Sequence, residues 1–203
     1  MRWSLSCHRK RRLPMRMSLS LAAIVLSSAI ACGETPVPRP ELPTSLLLVT
    51  LDTLRADRVG AYGAVDARTP NLDCLAREGV RFAHAVSPAP LTLPAHASLL
   101  TGLLPDRHGL RNNGAGRLAQ DIPTLAGRLA AAGYRSGAFT GAFVLDRRFG
   151  LDSGFDHYDD EVPRSPGGIA ALEAERPGRE VTGRALAWLR EAPEQPFFAW
   201  VHL

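Results

Sequence analysis

From Ser45 onward the chain alternates two kinds of hydrophobic pattern. SLLLVTL, Ser45 to Leu51, is an unbroken apolar run with β-branched content, which predicts a strand buried on both faces. TPNLDCLAREGV carries a start signal at Thr69 and Pro70, apolar Leu72 and Leu75, and Gly79 as a stop, so a helix is predicted from about Pro70 to Glu78. VRFAHAVS alternates and predicts a strand with Phe82 on one face. PAHASLLTG predicts a helix with Pro94 in its first turn and Gly102 just past its end. IPTLAGRLAAAG sets Leu125, Leu129 and Ala132 on one helical face before Gly133, and YRSGAFTGAFV then returns to strand character, closing at Val144. A helix from about Arg179 to Glu191 gathers Val181, Ala185, Trp188 and Leu189, and PFFAWVHL predicts another buried strand. Strands alternating with helices imply an α/β fold with a mostly parallel sheet flanked by helices. The closing apolar strand has no polar tail, so the expectation is a domain truncated there.

Before Ser45 the character changes. A basic leader is followed by SLSLAAIVLSSAIA, an apolar run short for a membrane span, and then by small residues before Cys32, the pattern of an export signal over residues 1–31. Ala29-Ile30-Ala31-Cys32-Gly33 resembles a bacterial lipobox, which makes Cys32 the expected lipidation site and the protein an exported, membrane-anchored lipoprotein; simple cleavage is the alternative. GETPVPRPELPT completes a proline-rich tether over residues 32–44, and the folded domain is expected over 45–203.

Charge sharpens this division. The formal net charge is +4, but Arg2, Arg9, Lys10, Arg11, Arg12 and Arg16 fall in the leader, leaving eighteen basic side chains against twenty acidic ones. The folded part is mildly acidic, so no nucleic-acid partner is expected. Lys10 is the sole lysine, which excludes a P-loop lysine or a Schiff-base amine from the domain. Of the three cysteines, Cys74 alone lies in the folded part, at an apolar helix position expected to be buried.

Two residues carry candidate chemistry. Asp52 follows the first strand, where parallel sheets collect functional atoms; it is either a desolvated, paired carboxylate or a solvated loop acid. Thr92 is predicted at or just before the N-cap of its helix, where it is either a cap or a nucleophile beside free amides that favour an anion. A threonine hydroxyl needs activation, and a divalent cation held by Asp52 supplies it.

The segments LLLVTLDTLRADRVGAYG, TPNLDCLAREGVRFAHAVSPAPLTLPAHASLLTGLLP and HGLRNNG, from Ser45 to about Asn113, resemble the sulfatase-type branch of the alkaline phosphatase superfamily. The likeness continues more loosely through IPTLAGRLAAAGYRSGAFTGAFVLDRRFGLDSGFDHYDD to PFFAWVHL. It implies an alkaline-phosphatase-like fold and a metal-centred site for transfer at sulfur or phosphorus, with a sulfate or phosphate ester as substrate and zinc, manganese or calcium as the ion. By this resemblance Asp52 is the first metal-binding aspartate, and Thr53 stands where the second is usual. Thr92 stands at the nucleophile position, where sulfatases carry a cysteine or serine converted to formylglycine, and His96 replaces the arginine of Cys-x-Pro-x-Arg. The threonine form is similar to superfamily phosphotransferases and phosphodiesterases, in which Thr92 would be nucleophile and metal ligand, helped by amides of the following helix. His96 would either touch the leaving group or pack on the helix.

The resemblance also implies an Asp-Pro-His segment and a later Asp-His pair past such a final strand, none of which follows PFFAWVHL here. His202 is a strand residue and is not assigned as a ligand. Weak metal binding is therefore expected, and a catalytically incomplete, truncated lipoprotein with a binding role or none is the alternative function. Among lesser signals, DHYDDE, Asp156 to Glu161, is expected to be a solvated loop, His108 to fix a turn, and Arg147 and Arg148 to lie on the surface or meet an anionic substrate.

Overall fold

The computed structural model describes residues 45–163, 172–191 and 194–203. The signal, Cys32 and the tether lie outside the described residues. Four parallel strands form one sheet: β1 (Leu46–Thr50), β2 (Arg135–Thr140), β3 (His157–Asp159) and β4 (Phe197–His202), in the order β1-β4-β2-β3. Five described helices accompany them: α1 (Pro70–Glu78), α2 (Thr92–Thr101), α3 (Pro105–His108), α4 (Leu125–Ala131) and α5 (Gly178–Glu191). This is the α/β arrangement expected from the alternation of strands and helices, and among the described residues no helix is long and apolar enough to cross a membrane.

Side-chain alternation along the strands divides the core. Ala138, Phe198 and Trp200 face α2 and α4, packing with Leu93, Ala97, Leu100 and Ala126. Phe139, Ala199 and Val201 face the other way, onto Val181, Ala185 and Trp188 of α5. The close fit of α5 depends on Gly137, where an added Cβ would lie 2.9 Å from the Trp188 ring.

Several expectations need correction. SLLLVTL does form a strand, but β1 sits at a sheet edge, and Leu47 and Val49 stay about half exposed. VRFAHAVS forms no strand. Phe82 and Val86 are largely exposed, and the segment is tied back through the Tyr62 hydroxyl, which donates to the Phe82 carbonyl at 3.0 Å. Within YRSGAFTGAFV only Arg135–Thr140 is strand; Val144 belongs to a 3-10 turn. DHYDDE is not a solvated loop, because it contains β3 and its Asp159 and Asp160 are buried against Arg176 and Arg147. Cys74 is half-buried, not enclosed.

Candidate active site at the carboxyl end of the sheet

The backbone hands Asp52 to this site by continuing the sheet past its last strand residues. Leu203 N–H donates to the Thr50 carbonyl at 2.9 Å, and Asp52 N–H donates to the Leu203 carbonyl at 2.7 Å. The next residue, Thr53, has φ of 53°, the left-handed region that a β-branched residue rarely adopts. That turn aims the Thr53 N–H at Asp52 Oδ1, 2.9 Å away. The other carboxylate oxygen, Oδ2, accepts the Thr92 hydroxyl at 3.1 Å. The two residues singled out by the sequence are thus in direct contact.

Thr92 is the first residue of α2; Leu91, in extended conformation, is the N-cap. The expected placement at or before the cap is therefore shifted by one position into the helix, which frees the hydroxyl from capping and turns it toward Asp52. The helix amides are less available than expected. Leu93 N–H is taken by Asn113 Oδ1 at 2.9 Å, Pro94 has none, and Ala95 N–H bonds the Leu91 carbonyl. The Thr92 N–H is the first-turn amide left uncommitted among the described residues. Asn113 was not picked out from sequence as a site-shaping residue, since a loop asparagine twenty positions away gives no periodic signal.

His96 lies one turn further along α2 and is buried. Its Nδ1 is 2.7 Å from the Thr92 carbonyl, which accepts, so the neutral ring carries its proton on Nδ1. The imidazole packs against Trp200, with ring centroids 5.5 Å apart, and edge-on against His202 at 4.7 Å. Burial pushes its pKa below the usual histidine value, while the Thr92 carbonyl and Asp52 oppose the fall.

His202 is the residue that sequence reasoning set aside and the fold brings in. It ends β4, in register with Thr50 of β1 and Thr140 of β2. Its Nδ1 is 2.9 Å from Thr50 Oγ1, and its Nε2 is 3.8 Å from Asp52 Oδ2. Burial, followed by the nearby His96, pushes its pKa down to about 4, against the pull of Asp52.

His108 is structural, as expected: its Nε2 bonds Ser98 Oγ at 2.9 Å and its Nδ1 accepts the Leu110 N–H. Arg147 is committed to Asp160, at 2.7 Å, and to the Tyr158 carbonyl, whereas exposed Arg148 pairs with Asp146. Neither arginine extends the Asp52 site.

The donors around Asp52 suit a hard cation: a carboxylate and a hydroxyl within 3.1 Å, with an imidazole nearby. Asp52 retains about a third of its side-chain exposure, so the carboxylate is approachable. Among the described residues no group of three or more His, Cys, Asp or Glu is close enough to hold a metal by itself.

Residues 44–203 match the family model described as Sulfatase. The chain is 43% identical over 117 residues to arylsulfatase A of Bos taurus, covering 55% of this chain and 22% of that protein. It is 37% identical over 128 residues to steryl-sulfatase of Mus musculus, covering 58% of this chain and 20% of the relative. A protein solved in complex with its substrate D-glucosamine-2-N,6-O-disulfate superposes with a TM-score of 0.65 at 22% identity, over 78% of this chain and 33% of that one. The chain therefore spans about a fifth of the length of these curated relatives.

Proposed function

The chain belongs to the sulfatase family, and from that premise we propose that it contributes the Asp52 and Thr92 portion of a metal-dependent site that transfers or hydrolyses sulfate or phosphate esters. The observation that carries this reading is the hydrogen bond from Thr92 Oγ1 to Asp52 Oδ2. Thr92 is the nucleophile, and Asp52 with Thr92 would hold a divalent cation. Such an ion, when bound, lowers the pKa of the hydroxyl and offsets charge on the group being transferred.

The chain's own residues do the rest. Asp52 Oδ2 accepts a hydrogen bond from the Thr92 hydroxyl in the resting arrangement, which turns the oxygen lone pairs away from the carboxylate. A bond forms between Thr92 Oγ1 and sulfur or phosphorus as the bond to the ester oxygen breaks, the Thr92 proton passing to that oxygen so that it leaves as an alcohol. Water then cleaves the new bond, taking the transferred group and returning a proton to Thr92 Oγ1. The Thr92 N–H, in the first turn of α2, would help stabilise a developing oxyanion. His96, with Nδ1 on the Thr92 carbonyl and its ring packed on Trp200 and His202, holds this turn in place. Threonine in place of the formylglycine precursor favours the phosphate ester within this pair, while family membership favours the sulfate ester. The site is expected to work outside the cytoplasm, with the chain anchored through Cys32.

Initial rates on aryl sulfate and aryl phosphate esters, with and without added zinc, manganese or calcium, test the reading. Thr92→Ala is expected to lower the metal-dependent rate by at least about 10³-fold, with Thr92→Ser partly active. A Thr92→Ala protein with the full rate would sink it. The second reading, a protein that keeps the fold for binding without turnover, is favoured by the small number of acidic and imidazole ligands near Asp52 among the described residues; it predicts ester binding with no metal-stimulated rate.

A further inference from the structure

The register of the sheet sets Thr50, His202 and Thr140 in a row at the carboxyl ends of β1, β4 and β2. Paired residues of parallel neighbours project to the same face, here the one that packs on α2. Trp200, two residues earlier on that face of β4, donates its indole N–H to Thr50 Oγ1 at 3.0 Å. An indole nitrogen can only donate, so Thr50 accepts there and its own proton remains to be placed. His202 Nδ1, 2.9 Å from the same oxygen, is the acceptor that completes the chain.

With Nδ1 accepting, the proton of the neutral ring sits on Nε2. That nitrogen faces Asp52 Oδ2 at 3.8 Å, the oxygen that also receives the Thr92 hydroxyl. The separation exceeds a hydrogen bond, so the contact acts through the N–H dipole and the carboxylate charge. It acts in a dry setting, because His202 is 1% exposed and closed in by His96 and Trp200. The opposite tautomer would leave the Thr50 proton without an acceptor and turn a bare nitrogen lone pair toward a carboxylate. Both changes are unfavourable.

We propose that His202 is a positioning residue for Asp52, presenting Nε2–H to the carboxylate oxygen that receives the Thr92 hydroxyl, and that Thr50 together with Trp200 selects this tautomer. The proposal rests on the Asp52 and Thr92 reading above and adds what holds the carboxylate's orientation. Residues that orient a metal ligand from outside commonly change ion affinity by about 10- to 100-fold when removed.

The test uses the full chain, isotope-labelled and metal-free, with long-range proton–nitrogen correlation on the His202 ring and the carbon shift of the Asp52 carboxylate. Calorimetric titration with Mn²⁺ alone follows for wild type, Thr50→Val, His202→Phe and His202→Gln. Expected are an Nε2–H tautomer in wild type, a mixed tautomer in Thr50→Val, and Mn²⁺ affinity lowered about 10-fold or more in His202→Phe. Recovery is expected in His202→Gln, whose amide restores a donor near the Nε2 position. An Nδ1–H tautomer in wild type would overturn the proposal, as would an Asp52 shift and Mn²⁺ affinity unchanged in His202→Phe. If His202→Phe fails to fold, Thr50→Val decides, since a tautomer and an Asp52 shift both unchanged in that variant would overturn the proposal. Should wild type bind no Mn²⁺, the reading of the site falls, and the positioning role is still decided by the tautomer and the Asp52 shift.

Discussion

Thr92 Oγ1 donates to Asp52 Oδ2 at 3.1 Å although 40 positions separate the two residues in the chain. One lies at the end of an edge strand and the other opens a helix, so the bond exists only when α2 is docked on the sheet. Asp52→Asn keeps the size of the side chain but removes its charge. It is expected to weaken divalent-ion binding by about 10-fold or more while altering stability little, because the carboxylate is partly solvated. Ion titration beside urea unfolding of the same protein checks both halves.

Thr53 holds φ of 53°, where aspartate and asparagine are far more at ease than a β-branched residue. Thr53→Asp should therefore relieve strain worth about 1 kcal/mol and add a second carboxylate next to Asp52. A raised unfolding midpoint together with tighter calcium or manganese binding is the expected result. Lower stability in the variant would show that the turn is held by the Thr53 side chain and not merely tolerated by it.

His202 is buried neutral, with its pKa pushed down to about 4. An unfolded histidine titrates near about 6.5, so between those values the unfolded chain binds the extra proton and acid favours unfolding. The stability His202 contributes is complete above about pH 6.5 and falls as the pH drops toward 4, by something on the order of 3 kcal/mol. His96 and His108, also lowered chiefly by burial, act in the same direction. Unfolding free energies measured across this range should show a shallower acid limb in His202→Gln than in wild type.

Arg176 and Asp159 form a buried pair at 2.7 Å, and Arg176 also donates to the Thr140 carbonyl, at the end of β2. Removing the cation strands a buried carboxylate, so Arg176→Ala is expected to cost about 3–5 kcal/mol. Arg184 approaches the same carboxylate at 3.3 Å from a half-exposed position. Arg184→Ala should cost less than about 1 kcal/mol. Equal losses in the two variants, measured by denaturant unfolding, would contradict this ranking.

Elements whose signals are local were legible in the sequence. Helix α1 runs from Pro70 to Glu78 as its proline start and glycine stop predict, and Asp52 and Thr92, which meet in the fold, stand out in the sequence by their places after a strand and at a helix start. Elements defined by distant partners were not. VRFAHAVS alternates like a strand but finds no ladder among the described residues, while acidic DHYDDE hides β3 because its carboxylates are neutralised by Arg147 and Arg176, which no short window includes. His202 reads in the sequence as an ordinary strand residue. Its relevance depends on β4 lying beside β1, a neighbour relation that alternation cannot reveal.

The pairing of β1 with β4 joins residues 152 positions apart, as in the contact of Thr50 with His202. On a ribosome, Thr50 emerges long before its partner has been synthesised. Until β4 arrives, one edge of β1 and the Asp52 turn beyond it have no sheet to lie against, so the pocket cannot assemble before residue 202 has been made. A nascent chain stalled before residue 197 would carry both Asp52 and Thr92 and still lack the strand that sets them face to face.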